Sequence, residues 1–302
     1  MKEKIKNIIL LLKLSIKKYI KDDPVKLAAT TAYFTIFAMA PIVIIITSGA
    51  GILLGKESIQ QKVFEELTSM IGEQGTKYIQ NIVVNYQGTD KNIVGTIVGF
   101  VIFIFTSTTF FKVLQNNLNY IWRIRVKSSH SFLKYLKDRL LSFGLIFSLG
   151  FIMLVSLLID AAISFFRDYL EQLLPNLTFT FIEIGNSILS FGIVTLVFAL
   201  TYKFLPDVRI KWKVTWIGAL ITAFLFVVGK FIIGFALAQS NIGLMYGAAG
   251  SLVVILIWVF YSSMIFFFGA EITQQYAEMY SHSIEPKHYA VKIEINEVNS
   301  KQ

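Results

Sequence analysis

The sequence predicts an all-α, polytopic integral membrane protein with six transmembrane helices. Two observations lead to this class. Hydrophobic residues make up 55% of the 302-residue chain and charged residues only 16%, a balance far from that of soluble proteins. Several stretches without a charge also reach the roughly 20 residues that a helix needs to cross a bilayer. Hydrocarbon offers backbone polar groups no partner, so these stretches are expected to be helices.

Net charge and residue types exclude several classes of function. The formal charge of +9 comes from Lys and Arg at the ends of apolar tracts, a pattern typical of membrane flanks and not of nucleic-acid binding. The chain contains no cysteine, which excludes disulfides and thiol chemistry. His130, His282 and His288 are not spaced with carboxylates as metal ligands are. We therefore expect membrane lipids as partners, and no metal, cofactor or nucleic acid.

The first 21 residues are expected to form a basic amphipathic helix. Apolar residues recur at spacings of three and four, and the lysines fall largely on other faces. The apolar positions are Ile5, Ile8, Ile9, Leu12, Ile16 and Ile20, and the lysines are Lys4, Lys6, Lys13, Lys17 and Lys18. Both a surface helix on the cytoplasmic face and an ordinary packed first helix fit this pattern. The segment has no small-residue cleavage site, so it does not read as a signal peptide.

Six crossings are expected within a single membrane domain over residues 1–280. Their approximate ranges are 27–55, 93–111, 140–160, 183–202, 214–239 and 248–271. Residues 56–91 place apolar residues at helical spacing and break near Gly72 and Gly75, which predicts an external pair of amphipathic helices. Residues 281–302 are predicted to form a polar, loosely ordered cytoplasmic tail.

The distribution of Lys and Arg predicts the orientation of the chain. With six crossings, 22 of the 28 basic side chains fall on the side of the termini and five on the other side, while Lys230 lies within the fifth crossing. Cytoplasmic segments of membrane proteins are enriched in Lys and Arg. Both termini are therefore expected in the cytoplasm.

A set of motifs in a fixed order resembles one family. The motifs are LAATTAYFTIFAMAP at 27–41, IWRIR at 121–125, YKFLPD at 202–207, YGAAG at 246–250 and IWVFYSSMIFFFGAE at 257–271. Together they are similar to the YihY/virulence factor BrkB family, historically labelled ribonuclease BN, over about residues 10–280. The resemblance implies a bacterial cytoplasmic-membrane protein with six helices and a role in transport or export of envelope lipids. It offers no agreed catalytic motif.

Ionisable residues at membrane depth are the first candidate functional residues, because charges there are costly and usually face a partner or a cavity. Lys230, Glu183 and Asp160 are expected at one depth near the outer surface. We predict that Lys230 pairs with Glu183 or Asp160 inside the bundle. The alternative is that each side chain extends separately to the head groups.

A second polar site, the inner vestibule, is predicted at the cytoplasmic ends of the helices. Its residues are Glu271, Thr31, Thr35, Asn116 and Asn119. Arg123 and Arg125 at its rim are candidates for binding an anionic head group, although a basic membrane flank also explains them.

The expected function is that of a transporter or exporter of an amphipathic, anionic envelope component such as a lipid. Because no ATP-binding motif is present, transport would draw on an ion gradient or a partner. A non-catalytic membrane scaffold or assembly factor is the alternative. A ribonuclease is disfavoured and no enzyme is expected, since metal-dependent phosphodiester cleavage needs clustered ligands that this sequence does not supply. The sequence specifies neither the substrate nor the oligomeric state.

Overall fold

The computed structural model describes residues 2–54, 93–127, 178–240, 245–246, 249–280 and 284–294, together with Gly144 and separate positions between 61 and 84. Six long helices make up most of these residues. The helices are α1 Lys2–Lys21, α2 Pro24–Leu54, α3 Ile93–Ile121, α4 Thr178–Phe204, α5 Trp212–Gln239 and α6 Gly250–Met279. The four short strands are β1 Ile124–Val126, β2 Val208–Arg209, β3 Glu285–Pro286 and β4 Ala290–Lys292.

Within the part of the chain that the structure describes, three helical stretches are long and apolar enough to cross a membrane: Ser187–Phe204, Trp212–Leu237 and Leu252–Met279. They coincide with the predicted fourth, fifth and sixth crossings. Helices α2 and α3 cover the predicted first and second crossings. The third crossing, 140–160, lies outside the described residues apart from Gly144, so the number of six crossings stays a prediction.

Helix α3 continues from the predicted end of its crossing, Phe111, to Ile121. The residues after the predicted crossing are largely polar, but their side chains form hydrogen bonds that leave the helix uninterrupted. Thr108 and Thr109 donate to the carbonyl of Phe105 at 3.2 and 2.7 Å. Further along, Asn117 donates to the carbonyl of Leu27 in α2 at 3.2 Å and Asn119 donates to Asp207 at 2.8 Å. These side chains are therefore satisfied while the helical backbone hydrogen bonds are kept.

Helix α6 is the centre of the described bundle, because α1, α2 and α5 all pack against it. Its contact with α5 includes two glycine and two threonine residues, which we call the glycine seam: Gly218, Thr222, Gly269 and Thr273. A Cβ at Gly218 would lie 1.8 Å from Thr273 Oγ1, and a Cβ at Gly269 would lie 1.8 Å from Thr222 Oγ1. Only glycine therefore permits this close approach of the two backbones.

A core of large side chains lies at the end of the bundle that carries the strands, hereafter the strand end. Trp122, Tyr202 and Phe267 are fully buried there. The indole of Trp122 donates to the carbonyl of Ala270 at 3.0 Å, and the hydroxyl of Tyr202 donates to the carbonyl of Phe266 at 2.6 Å. These two bonds fix the ends of α3 and α4 to α6.

The segment after α6 is ordered, which corrects the prediction of a loose tail for residues 284–294. Strand β4 pairs antiparallel with β1, the strand that follows α3, and β3 pairs antiparallel with β2, which follows α4. We call residues 284–294 with β1 and β2 the clasp. Its short strands satisfy the backbone groups of two loops, and Ala290 enters the buried core.

The predicted pair of amphipathic helices is described at separate positions between 61 and 84, all of them helical. Their apolar residues are buried against two helices of the bundle. The cluster contains Val63, Phe64, Ile79 and Val83 together with Ala32 of α2 and Ile255 and Val259 of α6. The helical character is therefore seen where the chain is described, while the external position stays a prediction.

Candidate functional site

Helix α1 docks on the bundle through one narrow face. Leu11, Ser15, Lys18, Tyr19 and Asp22 share that face at helical spacing, and Leu11, Ser15 and Asp22 are buried. The hydroxyl of Tyr19 donates to the carbonyl of Met264 at 2.7 Å. Burial raises the pKa of the Tyr19 hydroxyl, so this group stays protonated and remains a donor.

Two ion pairs meet at the C-terminal end of this face. We call their four residues, Lys18, Asp22, Arg123 and Glu271, the charge junction. Lys18 Nζ lies 3.2 Å from Glu271 Oε1, and the guanidinium of Arg123 pairs with Asp22 Oδ1. The side chains of Glu271 and Asp22 are 0% and 1% exposed. Carboxylates buried to this degree remain charged only with a cationic partner, because removal from water penalises the anion.

The backbone beside the junction adopts an uncommon conformation at two positions. Asp23 has φ of 52° and Arg123 has φ of 57°, values that non-glycine residues seldom adopt. The amide of Arg123 donates to the carbonyl of Tyr120 at 3.1 Å, and its own carbonyl accepts from the amide of Ile293 at 2.8 Å. The clasp therefore holds the backbone of Arg123 where its side chain reaches Asp22.

The charge junction is incompletely hydrogen-bonded. In the described part of the chain, five buried side-chain atoms have no hydrogen-bond partner, and four of them belong to α1, its C-terminal turn or the strand-end half of α6. These four are Ser15 Oγ, Asp22 Oδ2, Glu271 Oε2 and Gln274 Oε1. Buried polar atoms of native proteins are normally paired, so a cluster of unpaired oxygens marks this junction as the candidate site.

Phosphate-like anions are the ligands that the cations of the junction suit best. Guanidinium and ammonium groups both bind phosphate oxygens, and here each is neutralised by a carboxylate. An anionic ligand would therefore bind by replacing Glu271 or Asp22 as the partner of a cation. Among the described residues, no three histidine or acidic side chains lie close enough together to hold a metal ion.

A second polar network fixes the clasp to the helices. Asn119 Nδ2 donates to Asp207 Oδ2 at 2.8 Å, and the amide of Asp207 donates to Asn119 Oδ1 at 2.9 Å. The hydroxyl of Tyr289 donates to Asp207 Oδ1 at 2.8 Å. Asn119 and Asp207 are buried, and both oxygens of the carboxylate are satisfied, so this network is structural in character.

The residues of the predicted inner vestibule separate into different networks. Glu271 belongs to the charge junction and Asn119 to the clasp network. Thr31 accepts a hydrogen bond from Asn117 Nδ2 at 3.1 Å, Thr35 donates to the carbonyl of Thr31 at 2.7 Å, and Asn116 is exposed. No contact between Glu271 and the other four is present among the described interactions, and a common vestibule stays a prediction.

The two arginines predicted at the rim differ in their surroundings. Arg123 is engaged by Asp22, and its side chain is only 16% exposed. Arg125 lies in β1 opposite Val291 and is exposed. Head-group binding by either arginine stays a prediction.

The predicted outer cluster falls largely outside the described residues. Lys230 lies in α5 and is partly buried. Glu183 lies in α4, but its side chain is outside the described part, and Asp160 is outside it altogether. The pairing of Lys230 with Glu183 or Asp160 stays a prediction.

Sequence reasoning missed two residues of the charge junction, Lys18 and Asp22. The lysine pattern of α1 groups Lys18 with the lysines on its other faces, and no sequence motif points to Asp22. A signal was available in the helical spacing: Leu11, Ser15, Lys18 and Asp22 lie on one face, separate from the stripe of isoleucines. A face that mixes an apolar, a hydroxyl and two charged residues is typical of a docking face and not of a solvated one.

Long apolar helices centred on α6 and a buried charge junction at their strand end define a polytopic helical membrane protein. The chain belongs to the virulence factor BrkB family, whose model matches residues 15–294. This confirms the family that the sequence motifs predicted.

Relatives in several bacteria are similar over most of this chain. A UPF0761 membrane protein of Pseudoalteromonas translucida is 25% identical over 85% of this chain and 83% of its own length. A UPF0761 membrane protein of Aeromonas salmonicida is 26% identical over 82% of this chain and 81% of its own length. One from Acinetobacter baylyi is 23% identical over 86% of this chain, but only 60% of that relative is covered. No solved structure matches this chain.

Proposed function

We propose that this protein is a transporter or exporter of an amphipathic, anionic envelope component such as a lipid, placed in the bacterial cytoplasmic membrane with both termini in the cytoplasm. The charge junction is the observation that carries the proposal. Ionisable groups buried within membrane helices pair with one another or line the path of a substrate or an ion. Four buried oxygens without a hydrogen-bond partner lie on the elements that form the two ion pairs. A proton or a hydroxyl group of the substrate would satisfy them.

The substrate class follows from the composition of the junction. Lys18 and Arg123 supply the two cation types that recognise a phosphate head group. Helix α1 also carries apolar side chains near these cations. A ligand with a charged head group and an apolar chain could therefore contact cationic and apolar side chains at the same site. Exchange of a carboxylate for a head group keeps the cation paired. The displaced carboxylate would take up a proton at this stage, because a buried carboxylate without a cation is strongly penalised.

A scaffold or assembly factor is the second candidate. The glycine seam and the fully satisfied Asn119–Asp207 network favour it, because both describe a bundle built to hold one arrangement. The proposal contains no catalytic step and no nuclease activity. Oligomeric state and protein partners do not enter it.

Lipid translocation in proteoliposomes tests the proposal. Fluorescent phosphatidylglycerol and fluorescent phosphatidylcholine are each placed in vesicles with and without the protein, in the presence and absence of a proton gradient. The proposal predicts faster transfer of the anionic lipid in protein-containing vesicles, with a loss of about tenfold in Glu271→Gln and none in Gly234→Ala. Transfer indistinguishable from protein-free vesicles for both lipids would favour the scaffold.

A further inference from the structure

Helix α1 carries three chemically different faces. The docking face described above contacts α6. A second face is apolar and exposed, with Ile9, Ile16 and Ile20 at 61%, 48% and 68% exposure. A third face carries Lys6, Lys13 and Lys17, all exposed. Because successive residues turn by about 100° around a helix, the apolar face lies between the docking face and the lysine face.

The first half of α1 extends away from the protein core. All the described side chains from Lys6 to Leu10 are exposed, including Ile8 at 57% and Leu10 at 45%. Burial begins at Leu11 and continues at Ser15 and Asp22. An apolar surface of this extent facing water is unfavourable by about 25 cal/mol per Å², so another apolar phase is expected to cover it.

The charge junction fixes the rotation of α1 about its own axis. Lys18 is withdrawn from the lysine face by Glu271, and Asp22 is held by Arg123. Rotating the helix would break both pairs and leave buried carboxylates without a cation. The isoleucine face and the lysine face therefore have defined directions relative to the bundle.

Aromatic residues at the same end of the bundle mark the depth of a membrane surface. Trp212 and Trp216 are 44% and 39% exposed at the start of α5. Gly218 of α5 lies against Thr273 of α6, which places Trp216 within about one turn of the level of Glu271. Lys203 Nζ lies 5.2 Å from the centre of the Trp212 ring. Exposed tryptophan beside lysine is typical of the head-group layer.

We propose that α1 binds the anionic leaflet of the membrane as an interfacial helix, with the isoleucine face inserted below the head groups and Lys6, Lys13 and Lys17 in contact with anionic lipid. The charge complementarity of this lysine face commits the surface to anionic phospholipid. The isoleucine face would gain from burial below the head groups, and the three lysines would be attracted electrostatically to anionic lipid. This property is independent of transport and holds equally for a scaffold.

Site-specific fluorescence in the full-length protein tests the proposal, and the absence of cysteine allows single labels. An environment-sensitive dye is attached to Ile9→Cys, to Ile16→Cys or, as the matched control on the lysine face, to Lys13→Cys. Iodide quenches dye in water, and brominated acyl chains quench dye in lipid. In nanodiscs containing phosphatidylglycerol, we expect iodide quenching at positions 9 and 16 to be about fivefold weaker than at position 13, with strong bromine quenching.

The charge part of the proposal has its own variant. With the three lysines present, we expect stronger bromine quenching at position 16 in phosphatidylglycerol than in phosphatidylcholine. In the triple variant Lys6→Gln/Lys13→Gln/Lys17→Gln, we expect the quenching to be the same in both lipids. Dye at positions 9 and 16 that stays accessible to iodide would overturn the proposal. Dye protected from iodide but not reached by brominated lipid would also overturn it, since a second protein copy would then cover the face.

Discussion

Two of the helices that pack against α6, α5 and α1, hold it in opposite ways. On one side, the glycine seam brings α6 and α5 together through backbone contact, with Thr222 and Thr273 each donating to the glycine carbonyl of its own helix at 2.7 and 2.8 Å. On the other side, α1 is held by the charge junction, where buried oxygens remain unpaired.

The difference separates a permanent contact from an exchangeable one. Close backbone packing has no alternative partner, because any separation of the helices loses van der Waals contact that lipid does not restore equally well. A cation of a buried ion pair can exchange one anion for another, provided that the displaced carboxylate is neutralised by a proton. The glycine seam is therefore the part of α6 that holds the bundle together, and the charge junction is the part where a ligand could bind.

The largest effect is expected from leaving Glu271 without its cation. Lys18→Met removes the ammonium and keeps the apolar stem, so the buried carboxylate loses its partner at a cost on the order of 3 kcal/mol in unfolding free energy. Lys17→Met is the matched control, because that neighbouring side chain is exposed and should change stability by about 0.5 kcal/mol or less. Chemical unfolding in detergent compares the two, and equal effects would show that the Lys18–Glu271 pair contributes no stability.

A smaller loss is expected from widening the glycine seam. Gly269→Ala inserts a methyl group 1.8 Å from Thr222 Oγ1 and 2.6 Å from the Tyr202 hydroxyl, which should cost about 1–3 kcal/mol through displacement of α5. Gly234→Ala is the control, since nothing lies within 4 Å of a Cβ there, and helix propensity predicts a gain of up to about 1 kcal/mol. Thermal unfolding of both variants measures the contrast. Destabilisation by both substitutions to the same degree would argue against a specific close approach.

The smallest effect is expected at the clasp. Tyr289→Phe removes the hydroxyl that donates to Asp207, at a cost of about 1 kcal/mol. Because the clasp is short, the substitution should increase local opening of the clasp without affecting the helices. Amide exchange should therefore become faster over residues 284–294 and stay unchanged in α6. Tyr280→Phe is the control, since that side chain is 45% exposed. Exchange that is identical in Tyr289→Phe and Tyr280→Phe would mean that the hydroxyl does not hold the clasp.

The long apolar helices were predictable because composition and length alone determine them in a membrane. Glu271 was predictable as a candidate for the same reason, as a charge at the end of such a helix. Its partner was not, because the helical spacing of Leu11, Ser15, Lys18 and Asp22 indicates a docking face but not which residues of another helix that face contacts. The clasp was not predictable either, since strands of two or three residues such as Glu285–Pro286 have too few positions for an alternating pattern.

The charge junction depends on a direct interaction between Lys18 and Glu271. A charge-reversal cycle measures the energy of this interaction. Unfolding free energies are determined for Lys18→Glu, for Glu271→Lys and for the double variant. We predict that each single reversal is strongly destabilising and that the double variant recovers at least about 1 kcal/mol relative to the sum of the two. Additive losses in the double variant would contradict the pair and, with it, the charge junction as the site on which the proposed function depends.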